Sequence, residues 1–242
     1  MAVAFDASSE SHTGNVGSVS EASFTWNHTP VGTPKGITVF TFVNANADNA
    51  TSVTYGGVSL TEVTGGRAVD TATEPGDCKA WHLGASIPTG VQAVVVNRTN
   101  NANEMYAVAI TVTGASNTEP APTPVLLQGD GTLAEQSVDD GSPGTSSLRM
   151  AGINSGLNGG DAPGANSTSA QSIIFVSPRS VKVVYETVAG QGSRLIGFSH
   201  VTSDDRAAVH LAVREIAAGG DPEGSLIHGK LINGLLTYGV LT

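Results

Sequence analysis

The run Gly197-Phe198-Ser199-His200-Val201 comes nearest to a catalytic signature in this chain. A nucleophile elbow needs a serine between two spaced glycines, on a sharp turn from strand to helix, so that its hydroxyl meets a base and an oxyanion hole. Here Val201 stands where the second glycine should be, and the run reads as β-strand throughout. The 6 histidines are scattered, with no zinc-binding helix motif. His28 and His82 lie beside Trp26 and Trp81 and read as structural histidines. The 21 acidic residues allow many carboxylate pairs at glycosidase spacing, and sequence selects none of them. Asp130, Asp139 and Asp140 sit near glycines and offer oxygen ligands, but their spacing fits no calcium loop, so they read as a solvated loop. Cys78, the sole cysteine, rules out an internal disulfide and reads as a small buried hydrophobe. No phosphate-cradling loop or nucleotide fingerprint is present. The residues therefore point to no catalytic, cofactor or metal site.

Composition narrows the class. Of 242 residues, 39% are apolar but only 5% aromatic, so Val, Ile, Leu and Ala must build the core. Charged residues make up 13%, about half the ~25% of an ordinary globular domain. Ser, Thr, Asn and Gly take their place. A formal net charge of -10 with singly scattered Lys and Arg argues against nucleic acid or an anionic membrane as partner. Residues 1–6 lack the basic and apolar regions of a signal peptide, and no run is long enough to cross a membrane as a helix. The expected location is a cytoplasm or the inside of a particle assembled there. The Asn-x-Ser/Thr triplets at Asn27, Asn49, Asn97 and Asn166 are what chance gives in so polar a chain.

The elements are β in style. Residues 51–63 form two alternating runs around Gly56-Gly57, which can adopt the positive φ of a primed two-residue turn. That turn sets Tyr55 against Val58, Val53 against Leu60 and Thr54 against Ser59, with one face apolar and the other hydroxylic. Residues 22–28, 78–83, 90–96, 105–113, 125–127, 148–153, 171–177, 181–188 and 194–201 read as further strands. Residues 37–43 are apolar on both faces and suit a central strand. Residues 6–20, 65–77, 129–145 and 154–170 read as polar stretch or loop, the last long enough to be a contact surface. The extended run from Glu119 to Pro124 can separate two domains or cross between two sheets of one sandwich; the crossing is the preferred reading. Residues 207–216 satisfy both a capped helix and an alternating strand. About a dozen short strands with turn clusters between them predict an all-β, two-sheet antiparallel sandwich.

Certain segments carry a resemblance. They are Phe5-Asp6-Ala7-Ser8, the run from Phe24 to Pro30, the hairpin from Val53 to Thr61, Ala80-Trp81-His82-Leu83 and the closing segment 207–216. Together they resemble a jelly-roll β-sandwich module found in bacterial surface proteins and in structural proteins of tailed bacteriophages. The resemblance spans roughly residues 2–218, and the hairpin is its most specific part. It implies that 207–216 is a strand, and it implies no catalytic residues. It also implies a non-enzymatic virion protein, a head-decoration or other accessory protein, made in the host cytoplasm and carried in the particle. A second reading is a lectin-like module for a cell-surface glycan, with Trp26, Trp81, Tyr55 and Tyr106 as candidate platforms. A chain so short of aromatics is expected to use them as core instead.

Residues 219–242 have no counterpart in that module. Gly219-Gly220-Asp221-Pro222 interrupts the chain. Beyond it lie the aliphatic pairs Leu226-Ile227, Leu231-Ile232, Leu235-Leu236 and Val240-Leu241. Asn233-Gly234 can turn a hairpin that pairs Ile232 with Leu235 and Leu231 with Leu236; a frayed helix is the other possibility. Each large aliphatic side chain left in water would forgo roughly 1.5–3 kcal/mol. The expectation is a jelly roll over 1–218 and, over 219–242, a docking tail whose eight aliphatics contact sister subunits or the particle shell.

Overall fold

The computed structural model describes residues 2–13, 22–45, 47–71, 76–99, 103–114, 117–141, 146–156, 162–174, 180–216, 230–232 and 235–237. The described residues are all-β and contain no helix. The strands up to residue 113 form two antiparallel sheets. The large one runs β1 (Ala4–His12), β9 (Met105–Thr113), β3 (Gly36–Val43), β7 (Gly76–Leu83), β6 (Thr61–Asp70). The small one runs β2 (Ser23–His28), β8 (Gln92–Arg98), β4 (Ala50–Tyr55), β5 (Val58–Ser59). The chain shuttles between the two sheets with every pairing antiparallel, which is the order of a jelly roll.

From residue 118 the same order recurs. A second large sheet is led on one edge by β10 (Thr118–Pro120) and β11 (Val125–Gln128). It continues through β18 (Arg206–Glu215), β13 (Leu148–Ser155), β16 (Ser180–Glu186) and β15 (Ser167–Ile174). A second small sheet runs β12 (Gly131–Val138), β17 (Arg194–Asp204), β14 (Ala162–Pro163). The sandwich expected from the strand count is thus present with four layers rather than two. The proline-rich run from Glu119 to Pro124 is not the crossing expected of it: it lies along one edge of the second large sheet, from β10 to β11, both of which pair with β18.

The registers align the two halves. Both β3 and β13 have 8 residues. Phe40 of β3 lies opposite Val108 and Ala80, and Gly152 of β13 lies opposite Val209 and Val183. Carried through the sheets, this match sets Lys79 of β7 on Lys182 of β16, Phe5 on Pro120, and His82 on Tyr185. The large sheets pack face to face with β6 against β11 and β18, β3 against β13, and β1 against β15. Exchanging the halves turns β6–β11 into β15–β1, an approximate two-fold relation through the β3–β13 crossing, with the sheets closer where β6 and β7 meet β18 than where β15 and β16 face β9.

Three cores follow from the four layers. Phe40, Phe42, Val108, Ile110, Met150, Val183, Val209 and Leu211 fill the space between the large sheets. Ile37, Val39, Val53, Tyr55, Trp81, Val94 and Val96 fill the first jelly roll. Ile153, Val184, Ile196, Phe198 and Ala208 fill the second. β3 serves two cores at once, which is why both its faces are apolar.

The closing segment is strand β18, with Val209, Leu211 and Val213 in the central core and Ala208 and Ala212 in the second jelly roll. Four stretches read as loop or polar hold strands: β1, most of β6, β12, and β14 with the start of β15. β1 is an edge strand whose residues are mostly part-exposed and polar, so it lacks the apolar alternation that marks a half-buried strand. Cys78 is buried, and its thiol contacts the Gly152 carbonyl at 3.5 Å.

At the hairpin, Gly56 and Gly57 have φ of 56° and 81°, and Tyr55 pairs with Val58 and Thr54 with Ser59. A Cβ on Gly56 would lie 2.7 Å from Gln92 Oε1 and 2.9 Å from Pro88 Cβ, whereas one on Gly57 would meet nothing within 4 Å. Left-handed backbone costs an L-residue about 1–2 kcal/mol. Urea melts should therefore show Gly57→Ala losing about 1 kcal/mol and Gly56→Ala losing more. At the central crossing, a Cβ on Gly152 would come within 2.7 Å of the Phe40 ring and 3.0 Å of the Phe42 ring. Gly152→Val should cost about 3 kcal/mol or more in the same melts, the upper part of the overpacking range. Phe40→Leu in that background should recover part of it.

Candidate functional site

Two histidines anchor the polar interior. In the first jelly roll the Trp26 indole donates to Ser9 Oγ at 2.8 Å, and Ser9 Oγ lies 2.7 Å from His28 Nδ1. On the other side of the ring, His28 Nε2 is 3.1 Å from Thr111 Oγ1, whose hydroxyl donates to Asp6 Oδ2 at 2.9 Å. One direction of donation satisfies every group: Trp26 to Ser9, Ser9 to His28 Nδ1, His28 Nε2–H to Thr111, Thr111 to Asp6. His28 is then neutral, in keeping with a pKa that burial lowers against the opposing pull of Asp6. Serine, histidine and carboxylate thus form a chain across β1, β2 and β9. Its members are too far apart in sequence to be seen as a set, and the cavities described below are lined by other residues. Its effect is to tie an edge strand of the large sheet to the small sheet.

His82 holds the seam between the halves. Its Nδ1 lies 3.0 Å from Thr38 Oγ1 on β3 and its Nε2 lies 3.1 Å from Thr118 Oγ1 on β10. Thr118 Oγ1 also contacts the Lys35 carbonyl at 3.1 Å. Burial pushes the His82 pKa down to about 4. Gly84 allows this approach, because a Cβ there would lie 1.6 Å from the Thr118 carbonyl oxygen.

Beside His82 opens a cleft of about 520 Å³. Val63, Pro120, Ala121 and Pro122 give it apolar walls, and Thr61, Thr64, Glu62 and Glu119 give it a polar rim. Glu119 is held by Arg214 Nη2 at 2.7 Å, and Glu62 lies 3.3 Å from Lys79 Nζ. Its volume falls within the range of small-ligand pockets. A second cavity of about 260 Å³, lined by Thr33, Lys35, Ile87 and Asn117 among others, lies nearby.

The charged clusters are each anchored on a buried ionic residue. Lys79 is buried against Asp48 and Glu62, with its ammonium 5.1 Å from the Trp81 ring. Arg67 closes on Asp77 at 2.6 Å. In the second jelly roll Arg149, fully buried, pairs with Glu186 at 2.9 Å and stands 3.5 Å from Asp140. Asp140, one of the oxygen donors noted in the sequence, thus has a guanidinium where a bound cation would sit. Among the described residues no group of three or more His, Cys, Asp or Glu side chains has metal-binding geometry.

The structure places the other singled-out residues as follows. Ser199 lies within strand β17, paired with Leu133 and Ala162. Tyr55, Trp81 and Tyr106 are buried, and Trp26 is half-buried and stacked on Phe24. Of the tail residues, Leu231, Ile232, Leu235 and Leu236 lie in β19 (Lys230–Ile232) and β20 (Leu235–Thr237). These strands pair in the register that the Asn233-Gly234 turn implied and form a sheet of their own. Leu226, Ile227, Val240 and Leu241 lie outside the described residues. Compared with known proteins, the chain matches no family model, no curated protein and no solved structure.

The His82 geometry sets a pH dependence. The unfolded imidazole titrates near its ordinary 6.5 and the folded one near 4, so between these values the unfolded chain binds more protons. The His82 contribution is therefore full above about pH 6.5 and falls as the pH drops towards 4. The loss from this residue is about 3 kcal/mol by linkage. His28 adds to it in the same direction. Asp77, whose pKa burial raises to about 6, acts in the opposite sense over this range, so the His82 share is read by difference. Urea midpoints should fall further, or rise less, from pH 7 to pH 4 in the unsubstituted protein than in His82→Gln.

Proposed function

We propose that this chain is a non-enzymatic structural protein of a tailed-phage particle, a decoration or accessory protein that binds the particle surface and sister subunits through its C-terminal tail. The observation that carries this reading is the hairpin of β19 and β20. Its strands pair with each other and with none of the four sandwich sheets among the described residues, and its sequence brings four large aliphatics to a segment with Lys230 as its one basic residue. A segment of this aliphatic composition is suited to a protein contact. The jelly-roll order of both halves accords with the module that the sequence resembles. With Tyr55, Trp81 and Tyr106 turned inward, the aromatic platforms that a lectin would present are engaged in packing, so the structural reading is preferred to glycan binding.

Sedimentation of the full chain tests the reading. Self-association should persist in 1 M NaCl, because the contact contains little charge to screen. Leu231→Asp combined with Leu236→Asp should weaken it at least tenfold while leaving the melting temperature within a few degrees. Immunogold labelling of particles from cells that make this protein should decorate their surface. Unlabelled particles, or a doubly substituted chain that still assembles, would overturn the proposal.

A further inference from the structure

The pseudo-two-fold axis gives the His82 cleft a counterpart. Phe5 is the partner position of Pro120, and Tyr185 that of His82. At the counterpart, Phe5 and Tyr185 stack with ring centroids 3.9 Å apart and planes within 7°, and both pack on the central core. Two aromatic rings therefore occupy one of the two equivalent places. In the other stand Pro120 and His82, and about 520 Å³ is open. Positions equivalent by register are thus closed by stacked rings at one end and stand beside an open cleft at the other.

The tail begins beside the open slot. Glu215, at the end of β18, pairs with Thr118 on the cleft wall, and the Ile216 amide donates to the Asn117 carbonyl at 3.0 Å. The chain leaves the second jelly roll there. The tail carries a single aromatic residue, Tyr238, within the run Leu235-Leu236-Thr237-Tyr238. Because tail root and cleft share one end of the molecule, two copies apposed at that end can exchange tails reciprocally. Such an exchange is isologous and closes at two copies.

We infer that the His82 cleft is the receptor for the C-terminal tail of a second copy of this chain, with the Leu235–Tyr238 segment taking the place that Phe5 and Tyr185 fill across the pseudo-two-fold axis. This rests on the proposal that the tail is a docking element and assigns the surface that receives it. The polar rim of Thr61 and Thr64 faces the backbone of the incoming hairpin, and Val63, Pro120 and Pro122 face its apolar side chains.

Complementary chains with one added cysteine each test it. Thr64 is exposed on the cleft rim, and Cys78 is buried with its pKa raised well above the ordinary thiol value by burial, so it stays silent. Full-length Thr64→Cys is mixed with full-length Tyr238→Cys, and separately with Leu236→Cys, and each mixture is oxidised with copper phenanthroline in air. A disulfide-linked dimer of one chain of each kind is expected in at least one mixture, and none from the unsubstituted protein. Thr64→Trp, which fills the cleft from its rim, should weaken self-association at least tenfold with an unchanged melting temperature. If neither mixture cross-links, the inference is overturned. It is equally overturned if Thr64→Cys/Tyr238→Cys in one chain closes within that chain and the mixtures stay monomeric, because the cleft then holds its own tail. If Leu231→Asp/Leu236→Asp abolishes assembly while Thr64→Trp does not, the tail docks elsewhere: the proposed function stands and the cleft assignment falls. If the aspartate variant assembles normally, the proposed docking tail itself is lost.

Discussion

The molecule depends on one close contact, the crossing of β3 and β13 at the centre of the stack. There Phe40 and Phe42 press onto a position without a side chain, Gly152. By register Gly152 is the counterpart of Phe40 itself. Residues on a two-fold axis meet their own equivalents, so two phenylalanines would collide there and two glycines would leave a void. A cavity between the sheets would forfeit both the transfer energy and the contacts of its lining. One large and one absent side chain satisfy the axis, and two halves in one chain are free to differ in this way. Identical subunits would need some other solution at the same point.

The same freedom accounts for the rest of the asymmetry. β1 and the pair β10 and β11 are equivalent edges, yet β1 runs on through a bulge after Phe5 while the other breaks at its prolines. Proline fixes φ and lacks an N–H, so this edge cannot continue its ladder through residues 120–124. The break leaves the cleft open at one end of the molecule. Lys79 and Lys182, by contrast, coincide in the two halves, and both are buried, as a shared template would have it.

Much of this architecture was legible locally. The Gly56-Gly57 turn, the two apolar faces of residues 37–43 and the alternation in 105–113 and 148–153 each reflect a half-buried or fully buried strand, where side-chain type follows burial. The strands that escaped notice are those for which burial does not govern residue type. β1 is a polar edge, β6 contains the bulged Gly65-Gly66 stretch between Glu62 and Arg67, and β14 has only two residues, both exposed. The duplication was also hidden. Equivalent strands share their order in the sheets, but β8 and β17, with 7 and 11 residues, already differ in length, and residue types differ where the two halves touch. The Ser9–His28–Thr111–Asp6 chain and the His82 cleft lay beyond any local pattern, since each draws on strands far apart along the chain.

Charge placement links fold to surface. A chain with 13% charged residues has few to spend on solubility, yet Lys79, Asp77, Arg149, Asp140 and Glu186 are all buried. Arg149 meets two carboxylates inside the second jelly roll, and removing one member of such a set strands the others at a cost of about 3–5 kcal/mol. These groups give the two small cores a fixed internal geometry that aliphatic packing alone, with interchangeable Val, Ile and Leu, specifies weakly. The outer surface is rich in hydroxyls and amides, with the remaining charges, Asp48, Glu62 and Glu119 among them, spaced between these groups. Desolvating such groups costs less than desolvating paired ions, and each can be re-satisfied by a neighbouring backbone. A partner docking as proposed therefore meets a surface with sparse charge, on which shape complementarity carries more of the recognition than ion pairing does.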